Sequence, residues 1–194
     1  MSNIIGLPVI LERVSAWNER RYPRELDLTL LCKLLREELN EWYTSEHDVH
    51  HLDAICDEIY VALGGVWKSG VEPEQMNTDL AFGHALSVDL MRANALGPMY
   101  LVSAVIDAIE HDANFPTEVG LFTIINLALI EAQTTLELSL EQAYEACLIV
   151  CDSNDSKSVP KEKVDPSVKA NIDKGSYFIA PEPRLNALLE KRYG

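Results

Sequence analysis

"LLREELNEWYTSEHDVHHLDAICDEIY", from Leu34 to Tyr60, sets eight carboxylates and three histidines among regularly spaced large apolar residues. Leu34, Leu35, Leu39 and Trp42 recur at helical intervals, as do Ile55, Ile59 and Tyr60. The pattern breaks only around "YTSEHD". This spacing predicts two helices joined by a short turn, hence antiparallel neighbours. Glu38 and Glu41, three apart, share a face of the first helix, and Asp53 and Asp57, four apart, share a face of the second. Glu37 is turned about 100° from Glu38. Acids at such intervals ordinarily form a solvated face with basic residues interleaved. Here they sit at the margin of the apolar stripes, so four of them can point at one spot. Like charges gathered there repel, and burial makes the repulsion worse. A divalent cation with oxygen ligands is the natural remedy.

Outward from this pair, helical periodicity continues and glycine and proline act as punctuation. Leu7 to about Arg20 reads as a first helix, Leu26 to Thr44 as a second, and a third runs to about Trp67, capped by Ser45 or Asp48. A fourth starts near Pro73, Gly97-Pro98 ends it, and Met99 to His111 is a fifth. Thr117 to Leu136 and Leu140 to Cys151 follow. From Asp152 the chain turns to Ser, Asp, Lys and Pro, with a short helix near Leu185 and one extended piece at "SYFI". The expected fold is all-α, an antiparallel helical bundle over residues 1–151 with an irregular tail over 152–194. A shift of 69 residues lays Asp107 and Glu110 on Glu38 and Glu41, and Asn126 on Asp57. Two readings of this echo stay open: a degenerate repeat over 97–151, or chance.

The totals narrow the function. Thirty-one acids against 16 bases give a formal net charge of −15, which argues against nucleic acid or an anionic membrane as partner. The N-terminus "MSNIIGLPVI" has no basic start, and the apolar runs fall short of a membrane span. A soluble cytoplasmic protein is expected. Cys32, Cys56, Cys147 and Cys151 each sit in an apolar run with no C-x-x-C pair, so they read as buried free thiols. His47, His50 and His51 lack the further ligands of a tetrahedral zinc site and read as surface or loop histidines. "GGVWKSG" and "GHALSVDLM" lack the spacing of a phosphate loop.

"EELNE" followed by "DAICDEIYVALGG" resembles the all-α nucleoside triphosphate pyrophosphohydrolase superfamily, which includes the MazG-like enzymes. Its signature is E-E-x-x-E, a spacer, then E-x-x-D. Glu37, Glu38 and Glu41 match the first half and Asp57 the last acid, while Ala54 stands where a Glu is expected. Asp53, one residue earlier, substitutes on the neighbouring helical position. That D-x-x-x-D version is similar to phage and phosphoribosyl-ATP pyrophosphohydrolase-like branches. "VSAWNERRYP" and "CDSNDSKSV…KGSYFIAPEPRL" resemble the group's N-terminal helix and C-terminal tail.

The resemblance implies hydrolysis of a nucleoside triphosphate to monophosphate and pyrophosphate. Mg²⁺ or Mn²⁺ is held by Glu38, Glu41, Asp53 and Asp57. Glu37, with Glu38, orients a water or takes its proton. Asn154, Lys157 and Lys174 meet the phosphates, and Trp17 and Asn18 meet the nucleoside, unless Trp17 is simply core. Glu58 is expected to meet solvent or pair locally. The tail is expected to fold over the site as a lid. A purine or broad substrate range is expected first. The alternatives are a dUTP/dUDP hydrolase of the dimeric dUTPase type, in which a degenerate repeat lies inside one chain, or a non-catalytic helical nucleotide-binding or oligomerisation module. Either the second half of the chain or another subunit must cover the apolar face of the acidic helix pair, and a homodimer or homotetramer is expected.

Overall fold

The computed structural model describes residues 6–71, 73–157 and 176–193. Its elements are α1 (Leu7–Glu19), α2 (Leu28–Thr44), α3 (Asp48–Ser69), α4 (Pro73–Ala93), α5 (Pro98–His111), α6 (Thr117–Thr134), α7 (Leu140–Ser156) and α8 (Glu182–Glu190), closed by a 3₁₀ turn at Lys191–Tyr193. The fold is all-α, and "SYFI" forms no strand.

Local chemistry accounts for the boundaries. Asp27 caps α2, its carboxylate accepting from the Leu30 N–H at 3.0 Å. Ser139 and Gln142 form a reciprocal capping box at the start of α7. Gly70 ends α3 at φ 75°, a conformation that suits glycine. Two details differ from expectation. The cap position of α3 is His47, with no side-chain hydrogen bond, because the Ser45 hydroxyl instead donates to the Glu41 carbonyl at 2.7 Å and closes α2. And α7 continues past Cys151 to Ser156. Its last turn is polar yet helical, because Asp152 and Asp155 pair with Arg13 of α1, Arg20 at the C-terminal cap of α1 and Arg184 of α8.

The core is four helices. α2 packs on α3, α5 on α6, α2 on α5 and α3 on α6. α6 is buried almost all round, with Leu121, Phe122, Ile124, Ile125, Leu127 and Ala128 all inside. Each large aliphatic or aromatic side chain among them contributes about 1.5–3 kcal/mol by leaving water. α4 covers α6 so closely that a Cβ at Gly83 would lie 2.7 Å from the Phe122 side chain. The glycine of "GHALSVDLM" is thus a packing notch.

The main packing pairs map onto themselves when α2, α3 and α4 are exchanged with α5, α6 and α7. α4 crosses to pack on α6, and α7 crosses to pack on α3. Pro98 follows Leu28 by 70 residues, Thr117 follows Asp48 by 69, and Leu140 follows Pro73 by 67. These offsets lie close to the 69-residue shift of the sequence echo. The second helix pair covers the apolar face of the first within one chain. α1 and α8 have no counterparts, and both lie on the α3/α7 side.

Candidate functional site

The site is built where α2 ends, α3 begins and the end of α7 comes alongside. α2 supplies Glu38, half-buried, and Glu41, exposed. α3 supplies Asp53 and Asp57, both half-buried at the edge of a stripe containing Leu52, Ile55, Cys56 and Ile59. Burial holds the Asp57 carboxyl well above the usual carboxylate range, and the charges of Asp53 and Glu38 push it further. Lys157 opposes that push, and Glu41 adds to it. Asp53 is raised to about 6, by burial first and then by Glu182 and Glu41, with His50 and Lys157 pulling the other way. The two helices therefore bring Glu38, Glu41, Asp53 and Asp57 into one electrostatic neighbourhood.

Asp53 Oδ1 is buried and has no hydrogen-bond partner among the described residues. Beside it an open groove of about 400 Å³ runs between the end of α2 and the start of α3, lined by Glu41, Thr44, His47, His50, Asp53 and Ala54 among others. That volume is within the range of small-ligand sites. No three of the four acids bring their oxygens within 4.8 Å of one another. Among the described residues that closeness is reached by Asp107, Glu110 and His111.

The other expected residues are placed as follows. Lys157 caps α7, its ammonium donating to Asn154 Oδ1 at 2.6 Å while its charge reaches Asp53 and Asp57. Asn154 is buried, and its carbonyl accepts from the Trp17 indole N–H at 2.9 Å. Trp17 is part of the core. Asn18 is buried and donates to the Val14 carbonyl at 2.9 Å. Glu37, turned off the Glu38 face, lies 3.9 Å from Lys33. Lys174 and the bulk of the expected lid lie outside the described residues.

Comparison with protein-family models, with curated proteins and with solved structures finds no match.

Glu58 overturns its expected place. It is fully buried, and neither carboxylate oxygen has a hydrogen-bond partner among the described residues. It lies two turns before Gly65, whose missing Cβ leaves room for Leu31 of α2 and Leu121 of α6. Glu58 thus faces the α2/α6 seam. Burial, reinforced by Glu38, holds its carboxyl well above the usual range and favours its protonated form. The signal was present, since Ile55, Glu58, Ala62 and Gly65 form one helical stripe in which Glu58 is the sole charge.

Three other residues escaped the sequence reading. Glu182, in the first turn of α8, acts on Asp53 from a segment far along the chain. Arg21 is fully buried, 4.4 Å from the Trp17 ring centroid and donating to the Trp17 and Lys157 carbonyls at 3.3 and 3.0 Å. The Trp17/Arg21 spacing of four is the sequence signal for that stack. Tyr60 meets the Trp17 ring edge-on at 5.7 Å, with its hydroxyl buried.

The histidines and thiols behave as expected. His47 and His50 lie at the surface with ring centroids 6.1 Å apart, and His51 lies against Trp42. All four cysteines are free and buried, Cys56 and Cys147 with their sulfurs 3.9 Å apart. No helix among the described residues is long and apolar enough to cross a membrane.

Proposed function

We propose that the chain is a metal-dependent hydrolase that splits a nucleoside triphosphate into the monophosphate and pyrophosphate. One observation carries the reading: Glu38, Glu41, Asp53 and Asp57 share an edge at which burial and mutual repulsion raise both aspartates. Such a set is stabilised by added positive charge. The donors are hard oxygens, and Asp53 Oδ1 is buried without a partner among the described residues, so they fit Mg²⁺ or Mn²⁺. Glu38, Glu41, Asp53 and Asp57 would hold the ion, which would acidify a water and neutralise phosphate charge.

The chain's own groups do the rest. Lys157, steadied by Asn154, places a cation beside the acids where phosphate charge gathers. Glu37 accepts the proton of the attacking water or orients it, with Glu38 sharing that task. Trp17 and Asn18 support the nucleoside end, and Lys174 extends the phosphate contacts. A purine or a broad set of (deoxy)nucleoside triphosphates is the substrate class.

Pyrophosphate release from a panel of nucleoside triphosphates, with and without Mg²⁺ or Mn²⁺, tests this reading. Metal-dependent release that disappears in Asp57→Asn and Glu41→Gln is expected. Mn²⁺ binding with no release from any nucleotide would leave a non-catalytic nucleotide-binding module. A second reading, a dUTP/dUDP hydrolase, is favoured by the exchange of packing pairs between the two halves, and release from dUTP alone would establish it. Assembly as a homodimer or homotetramer belongs to the same proposal. The second half of the chain already covers the first, so elution as a monomer leaves the chemistry intact and removes only the assembly.

A further inference from the structure

Tyr60 is a buried polar side chain at this corner that the mechanism above does not use. It lies three residues after Asp57, one helical turn along the same side of α3. The residue is 8% exposed, and its hydroxyl is buried without a hydrogen-bond partner among the described residues. A phenol left so among the described residues carries a desolvation cost that phenylalanine, filling the same ring space, would not. The groups that act on the hydroxyl come from two helices and the turn after a third: Asp57 of α3, Cys151 and Asp155 of α7, and Arg21 just past α1.

Two cations are tied to the same corner. Arg21 donates to the Lys157 carbonyl, and the Lys157 ammonium donates to Asn154 Oδ1 while acting on Asp53 and Asp57. The Trp17 ring joins the set, touching Tyr60 edge-on, stacking under Arg21 and donating to the Asn154 carbonyl. The corner thus gathers a guanidinium, an ammonium and an O–H donor beside the proposed metal ligands, the donor types that recognise a phosphate oxygen.

We propose that Tyr60, with Arg21 and Lys157, forms an anion subsite that grips the pyrophosphate portion of the substrate, the tyrosine hydroxyl donating to a phosphate oxygen. The inference rests on the pyrophosphohydrolase reading and adds a substrate-binding residue to it. The hydroxyl is buried among the described residues. An incoming phosphate competes for the Arg21 and Lys157 donors, which now hold the end of α7 through the Lys157 carbonyl and Asn154.

The test is Tyr60→Phe, titrated calorimetrically with inorganic pyrophosphate in the presence of Mn²⁺ and assayed with a nucleoside triphosphate. Loss of a hydrogen bond to a charged oxygen lowers affinity by about tenfold. A rise of that size in the pyrophosphate Kd and in KM is expected, with kcat and Mn²⁺ affinity little changed and the melting temperature equal or higher. A merely structural hydroxyl would move the melting temperature and leave Kd and KM alone, which overturns the inference. Should the variant fold poorly, wild-type protein carrying ¹³Cζ-tyrosine decides the same question by NMR. A buried tyrosine signal that shifts on adding pyrophosphate supports the subsite, and signals that all stay still refute it. Wild-type protein that neither binds nor releases pyrophosphate brings down the functional reading itself, an outcome distinct from an active enzyme indifferent to Tyr60→Phe.

Discussion

The α2/α3 edge and the α5/α6 edge of the four-helix core carry acids at matching places and neutralise them in different ways. At the second edge, Arg36 reaches across from α2 and its Nη2 lies 2.7 Å from Asp107 and 2.6 Å from Glu110. His111 adds a contact to Glu110 at 3.5 Å. The position matching Asp57 is Asn126, whose amide donates to the Phe122 carbonyl of its own helix at 2.7 Å. That edge is satisfied by protein alone. At the first edge the acids meet one another, Lys157 and the buried oxygen of Asp53. α1 and α8 attach on this side, bringing Trp17, Arg21 and Glu182. A tight cluster of acids is therefore no guide to a metal site by itself. The tighter one already has its cation built in as Arg36, and the looser one is where the proposed ion would be held.

This contrast is broken most sharply by activity. Asp57→Asn or Glu41→Gln should lower metal-dependent pyrophosphate release by about a thousandfold or more, the scale on which removal of a charge-stabilising group acts. Glu110→Gln should leave it within about threefold. Equal losses at both edges would show that Arg36 does not retire the second.

Next in size is the buried acid between the edges. Glu58→Gln or Glu58→Met should raise stability by about 1–3 kcal/mol, since an unpartnered acid leaves the core, measured by urea unfolding without metal. The same acids set a pH dependence. A carboxyl raised in the folded state holds its proton there more tightly than in the unfolded chain, so the protein is most stable below the unfolded value. Metal-free stability should fall as pH rises from 3.8 toward about 6 through Asp53, and continue falling as Asp57 and Glu58 are forced to ionise. Glu58→Gln flattens the upper part of that decline. Mn²⁺ affinity should run the other way and strengthen with pH across the same window, because the ion requires the ionised acids. A stability curve rising with pH would contradict both assignments.

The smallest expected effect is at the paired edge. Arg36→Met should cost about 1 kcal/mol, the scale of partly exposed ion pairs, and the cost should shrink in high salt. It should also let Asp107 and Glu110 take up Mn²⁺ weakly in calorimetry. Unchanged stability with no gain in metal binding would mean that Arg36 decorates the second edge without neutralising it.

Element by element, the residues carry much of this on their own. Asp27, Gly70, Pro98 and Ser139 mark helix ends by chemistry confined to a few neighbouring residues, and the structure places boundaries there. The end of α7 was illegible at Cys151, because the turn through Ser156 is held by arginines from α1, its C-terminal cap and α8. Glu38 with Glu41, and Asp53 with Asp57, were readable as facing pairs because helical spacing alone fixes shared faces.

Which charges those pairs meet was not readable. Arg36 and Glu37 are neighbours in the chain, yet Arg36 serves α5 while Glu37 lies near Lys33 on its own helix. Glu58 adjoins Asp57 and is shut into the core, since one residue on a helix is a turn of about 100°. The sequence by itself determined the helices, their short connections and the faces that carry acids, all of which depend on contacts within a few residues. Tertiary structure decided which acids receive an arginine, which are buried, and which remain together beside Lys157 and Tyr60. Those outcomes depend on charges and volumes brought together from distant parts of the chain, where Coulomb energy and desolvation follow distance in space and take no account of distance in sequence.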